Sequence, residues 1–174
     1  MRTIELNTPL TDKAIAGLKA GDKVLFSGNL LVARDQVHIH LNDLIKNKKS
    51  LPVDLNNQAI YYSGPSPSKP NEIIGAIGPT TASRMDELTE PLFKAGLKMT
   101  IGKGERSPEF QKLIKKYKAP YLVAMGGGGA VMQEAVEWAK VIAFEELGTE
   151  ALLKLSVHKM PLYVAYDIVG GSIY

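Results

Sequence analysis

The chain has 174 residues, 45% of them hydrophobic and 22% charged, a length and apolar content that suit one globular domain and exclude a wholly disordered chain. Lys and Arg total 21 against 18 Asp and Glu, and the resulting net charge of +3 is too mild to indicate a nucleic-acid binder. There is no cysteine, so the chain offers no disulfide, no thiol nucleophile and no cysteine ligand for zinc or an iron–sulfur cluster.

In chain order, residues 2–6 alternate polar and apolar side chains and predict a strand. Residues 11–19 predict a short helix with Thr11 as its N-cap and Ile15 and Leu18 on one side. Residues 23–32 read as a long strand interrupted at Ser27-Gly28-Asn29. Val37, Leu41, Leu44 and Ile45 fall at helical spacing and predict a helix over 34–48, followed by a polar loop. A strand is expected at 59–63, a Pro-rich loop at 64–70 and a strand at 72–77. Gly78-Pro79-Thr80-Thr81 predicts a turn into a helix that runs to about Ala95, stopped by Gly96. Residues 97–101 predict a strand. Ser107-Pro108-Glu109 opens a helix with a capping serine, proline at the first position and an acid in the first turn; it ends near Tyr117. A strand at 120–124, a helix after the glycines 126–129, and one or two strands around Val157 and 162–167 complete the chain. The class is α/β, a mixed sheet flanked by helices in one domain over 1–174. The first 13 residues lack the apolar core of a leader, and apolar runs such as 120–125 are too short to span a bilayer. The expectation is a cytoplasmic chain with neither membrane nor nucleic acid as a partner.

Three junctions combine a turn with a cation where a strand ends, the place where α/β sheets bind ligands. In the first, Arg34 and His38 lie four residues apart, on one helical face, with Asp35 able to cap the helix or pin Arg34. A cation in a first turn opposes the helix dipole, which points to a role beyond helix stability; a plain surface Arg–Asp pair is the competing reading. In the second, Thr80 and Arg84 share the same spacing, and Ser83 with Asp86 resembles a capping box. Exposed N–H groups there can hold an anion with Arg84 as a forked clamp, whereas capping alone explains the threonines but not the arginine. In the third, Lys103 stands between Gly102 and Gly104; position 97 is Leu and position 104 is Gly, so this is not a phosphate-binding Walker loop. The four glycines lack the spacing of a dinucleotide site and suit a tight turn with close packing. His38 and His40 point apart on a helix, which disfavours joint metal binding, His158 is isolated and reads as structural, and Met85, Met99, Met125 and Met132 read as core filler. Two arginines, a lysine, a histidine and a hydroxyl suit a small dicarboxylate, because each guanidinium can fork onto one carboxylate.

The motifs S-G-x-L-L-V-A-R-D-x-x-H (27–38), Y-Y-S-G-P-S-P (61–67), G-P-T-T-A-S-R-M-D (78–86), I-G-K-G (101–104), G-G-G-G-A (126–130) and G-T-E-A (148–151) occur in this order. Together they resemble the β subunit, or C-terminal domain, of class I iron–sulfur hydro-lyases, fumarate hydratase and L(+)-tartrate dehydratase, over about residues 21–167. The resemblance implies a swivelling β/β/α domain that closes over a 4Fe-4S cluster held by the cysteines of a cluster-bearing alpha subunit. One iron of that cluster binds substrate. The lack of cysteine here fits such a division, and 174 residues from Met1 suit one subunit of a two-part enzyme. The same resemblance implies that Arg34 and Arg84 clamp substrate carboxylates, that Lys103 binds substrate, and that Thr80 contacts it as the proposed proton-abstracting base. Asp35 and His38 occupy motif positions implied to orient Arg34 and the surrounding network. The expected reaction is reversible hydration of fumarate to L-malate, with tartrate dehydration as the alternative and a non-catalytic anion-binding or assembly module as the reading from another class.

Overall fold

The computed structural model describes residues 1–125 and 128–174. Five strands run in parallel order: β1 (Thr3–Asn7), β2 (Lys23–Val32), β3 (Ala59–Tyr61), β4 (Met99–Gly102) and β5 (Tyr121–Val123). Two antiparallel strands follow, β6 (Val136–Ala143) and β7 (Leu152–Tyr166). The sheet is therefore mixed, in the order β1-β2-β3-β4-β5-β7-β6. β7 also pairs antiparallel with β2 along almost its whole length, and this closes β2-β3-β4-β5-β7 into a barrel-like ring. Closure was not expected from the sequence. It depends on β7 being a single strand of 15 residues that runs through both of the stretches, around Val157 and 162–167, where one or two strands were expected.

The interruption in β2 is a bulge rather than a break. The register against β7 shifts between Phe26 and Gly28, where Gly28 takes φ 114°. Side chains seal the irregularity: the Asn29 N–H donates to Thr8 Oγ1 at 3.0 Å and the Lys159 N–H to Ser27 Oγ at 2.8 Å.

The period of two along each strand divides the apolar residues into two clusters. Val24, Phe26, Leu30 and Val32 of β2, Tyr61 of β3, Met99 and Ile101 of β4, Leu122 of β5 and alternate residues of β7 fill the ring. Leu31, Ile60, Tyr121 and Ala165 face outward, against α2 (Asp35–Lys46), α3 (Glu90–Lys94) and α4 (Pro108–Tyr117). Ile15 of α1 (Asp12–Ala16) and the following Leu18 join the inner cluster. Helix ends obey local chemistry. Thr11 Oγ1 accepts the Ala14 N–H at 3.2 Å, Ser107 Oγ accepts the Phe110 N–H at 3.1 Å, and Gly96 takes φ 104° after α3.

Two expected elements differ. Residues 72–77 form no strand; Ile74 and Ile77 are buried in the inner cluster while the backbone lies against the Pro-rich loop, with Ser66 N–H donating to the Ala76 carbonyl at 2.9 Å. The helix expected from the Gly78 turn to Ala95 is instead a 3-10 helix (Ala82–Leu88) followed by α3. Pro91 has no N–H to continue one helix through this segment, and Thr89 Oγ1 donates instead to the Met85 carbonyl at 2.7 Å. After the glycines, α5 (Gly129–Glu134) is short, and Met125 is 62% exposed rather than core, unlike Met85, Met99 and Met132. His158 is exposed. Among the described residues no helix is long and apolar enough to cross a membrane.

Candidate functional site

The candidate residues gather at the C-terminal ends of the parallel strands, and backbone hydrogen bonds set them side by side. Ala33 N–H donates to the Tyr61 carbonyl at 3.1 Å, Thr80 N–H to the Tyr62 carbonyl at 2.7 Å, and Lys103 N–H to the Thr80 carbonyl at 3.2 Å. Arg34 follows β2, Tyr62 and Ser63 follow β3, and Lys103 follows β4. The segment carrying Thr80 lies between the last two, and Thr81 and Lys103 form a parallel bridge.

Arg34 is the N-cap residue of α2, not part of its first turn, and its side chain makes no cap bond. Its Nη1 lies 3.1 Å from Glu150 Oε1, and its Nε lies 4.0 Å from Asp35 Oδ1. The other oxygen of Asp35 accepts from Arg84 Nη2 at 2.8 Å. Asp35 thus does not cap the helix; it stands between the two arginines. Nε of Arg34 and Oδ1 of Asp35 are both buried without a hydrogen-bond partner among the described residues. His38 lies under this group, fully buried, with its ring Nδ1 2.7 Å from the Arg34 carbonyl. A carbonyl only accepts, so Nδ1 carries the proton and Nε2 is the bare nitrogen, itself buried and unpartnered among the described residues. Burial holds the imidazole pKa down to about 4, with Arg106 lowering it further and the Arg34 carbonyl and Asp35 opposing. His38 is therefore neutral near pH 7 and fixes the Arg34 backbone; it adds no positive charge to the site.

Arg84 lies on the 3-10 helix and is half exposed. The α-helical pairing of Thr80 with Arg84 does not apply, because the helix begins at Ala82. The capping box is not formed either: Thr81 makes no side-chain cap bond, and Asp86 turns inward to Arg106. The Y-Y-S run that ends β3 holds the turn. Tyr61 Oη donates to the Ile77 carbonyl and Ser63 Oγ to the Gly78 carbonyl at 2.7 Å. Gly102 is required by packing: a Cβ there would meet the Tyr62 ring at 2.8 Å, Ala82 Cβ at 3.1 Å and the Thr80 carbonyl at 3.2 Å. Gly126 and Gly127 of the glycine run lie outside the described residues. A Cβ on Gly129 would stand 3.1 Å from the Gly78 N, so close packing against this turn explains that glycine.

Sequence reasoning missed two residues. Arg106 is completely buried beneath the site. Its Nε donates to Asp86 Oδ1, Nη1 to Thr100 Oγ1 at 3.2 Å and Nη2 to Tyr62 Oη at 3.3 Å, while its guanidinium carbon sits 3.4 Å from the centre of the Phe110 ring. Asp86 Oδ2 also accepts the Ser107 N–H at 2.8 Å, tying the 3-10 helix of Arg84 to the start of α4. No period or motif singled out Arg106, since an arginine beside Ser107 reads as surface. Glu150, the second, reaches Arg34 across 116 positions; the G-T-E-A motif is the one signal that marked it.

The residues present do not fit as ligands of an iron–sulfur cluster: the sequence has no cysteine, and no group of three or more His, Asp or Glu among the described residues is placed to hold a metal ion.

A family model described as the fumarase C-terminus matches residues 1–174. A chain of Methanocaldococcus jannaschii provisionally named L(+)-tartrate dehydratase subunit beta is 37% identical over 95% of this chain and 88% of its own length. Fumarate hydratase 2 of Leishmania major is 33% identical over 98% of this chain, and the anaerobic class I fumarate hydratase of Escherichia coli 31% identical over 98%. This chain spans 31% and 32% of those two proteins. With its arginines, threonine and lysine gathered beside the C-terminal ends of the parallel strands, the chain belongs to the fumarase C-terminus family, which takes in fumarate hydratase and tartrate dehydratase chains.

Proposed function

We propose that this chain is the β subunit of a two-part iron–sulfur hydro-lyase that hydrates fumarate reversibly to L-malate. The observation that carries the reading is the pair Arg34, after β2, and Arg84, on the 3-10 helix, with the carboxylate of Asp35 between them. Two guanidinium groups match the two carboxylates of a four-carbon diacid. Removing a proton beside a carboxylate builds negative charge on that carboxylate, and fixed cations stabilise it. Arg34 and Arg84 hold the two ends of the diacid, and Lys103 adds a third positive group. Thr80, its backbone pinned on both sides, presents a hydroxyl toward the carbon that loses its proton. A neutral threonine hydroxyl is a poor base; the form that takes the proton is its alkoxide, and Lys103 on the adjoining segment is the cation that would stabilise that form. The 4Fe-4S cluster belongs to an alpha subunit, and this chain supplies the residues that swivel over it.

A second reading, tartrate dehydration, is favoured by the relative that matches in subunit length as well as sequence. The test is the complex purified through a tag on this chain, kept anaerobic and assayed with fumarate, malate and tartrate. The reading expects activity only with the partner present. It also expects Arg84→Ala and Arg34→Ala each to lower kcat/KM by about 100-fold or more. Turnover by the chain alone overturns the two-part reading, and unchanged turnover in both variants overturns the clamp assignment in favour of a non-catalytic anion-binding or assembly module. A higher kcat/KM for tartrate than for fumarate assigns the second reading.

A further inference from the structure

Glu150 occupies the connection between β6 and β7, a 3-10 segment (Glu145–Glu150) broken at Gly148, which takes φ 60°. The segment is anchored on α2, since the Phe144 and His40 rings pack with centroids 5.0 Å apart. From there Glu150 approaches the Nη1 flank of Arg34. On the opposite side of the guanidinium, Nε stays without a partner among the described residues, facing Asp35 Oδ1 across 4.0 Å. Space for the guanidinium is provided by Gly64, where a Cβ would stand 3.1 Å from Nη1 and 3.2 Å from Cδ.

We propose that Glu150 is a positioning residue: it holds the Arg34 guanidinium by its Nη1 flank, opposite Asp35 on the Nε side, and so fixes the plane in which the group meets a substrate carboxylate. The inference rests on the reading of Arg34 as a carboxylate clamp. Three observations support it. The ion pair is partly exposed, with side-chain exposures of 23% and 36%, so it contributes little to stability and its removal can be read apart from unfolding. It engages one flank of a planar, forked group, and that is how a guanidinium is oriented without being consumed. The carboxylate sits on a turn closed by the Ala151 N–H donating to the Gly148 carbonyl at 3.1 Å rather than on a free arm, which is not how a placeholder that leaves to admit substrate is built.

The test uses the purified complex with fumarate as the probe. Glu150→Ala is expected to lower kcat/KM by about 10-fold, chiefly through KM, while the melting temperature of the complex moves little. Glu150→Gln keeps an oxygen that can accept from Nη1 and is expected to recover most of the loss. In an Arg34→Ala background, Glu150→Ala is expected to change kcat/KM less than about 2-fold, because the group it positions is gone. A lower KM in Glu150→Ala, the mark of a placeholder, overturns the proposal. So does a full additive loss in the Arg34→Ala background, or a loss matched by collapse of the melting temperature. Unchanged activity in Arg34→Ala itself overturns the clamp reading instead, and so separates the two failures.

Discussion

Arg106→Met removes the buried cation under the site while keeping a long apolar side chain against Phe110. The side-chain exposures of Arg106 and Asp86 are 0% and 7%, so water cannot replace the lost partner. Breaking a buried pair from one side leaves an uncompensated charge, at a cost of about 3–5 kcal/mol. Thr100 and Tyr62 also lose a donor, while the Ser107 N–H still reaches Asp86 and offsets part of the loss. For a chain of this size the melting temperature should fall on the order of 10 °C. Removing both charges, in Arg106→Met with Asp86→Asn, should recover at least half of the loss. Equilibrium unfolding of the full chain in urea measures both the loss and its recovery. A loss below about 1 kcal/mol, or a double variant worse than the single, would refute the claim that this pair holds the 3-10 helix of Arg84 in place.

Two further outcomes follow from the same geometry. His38 has a folded pKa near 4 against 6.5 unfolded, so the unfolded chain binds the extra proton between these values and stability falls as pH drops through that window. The full loss is about 3 kcal/mol, with Arg106 and Asp35 as the charged neighbours, and His38→Gln should flatten the stability profile between pH 6.5 and 4; an unchanged slope counts against a neutral buried imidazole. Gly102→Ala should destabilise by about 1–3 kcal/mol, since the Tyr62 ring at 2.8 Å cannot recede from a packed core, and a melting curve indistinguishable from the parent contradicts the close approach.

Local physical rules made much of the fold legible. Caps at Thr11 and Ser107, the stop at Gly96 and the helix of Val37 and Leu41 all follow from chemistry within a few residues. The 72–77 run has strand composition, but burial of Ile74 and Ile77 in the inner cluster sets its path while its backbone lies against the preceding loop, and Pro91, a local breaker, divides what looked like one helix. The site was legible in the same uneven way. Arg34, Asp35, Thr80, Arg84 and Lys103 stood out because each sits beside a turn. Arg106 and Glu150 did not, because an arginine's burial and a glutamate's partner are set by segments remote in sequence.

Composition and motifs by themselves determined the α/β class, the absence of any cysteine to hold a cluster, and the positions of the cationic junctions. The tertiary structure alone decided that β7 closes the sheet on β2, because strand pairing is a contact between segments more than 120 residues apart. It also decided that Asp35 stands between two arginines rather than capping its helix, and that His38 is a neutral prop. Charge and hydrogen-bond partners depend on burial and on what the fold brings within about 4 Å, and neither is a property of a residue's place in the sequence.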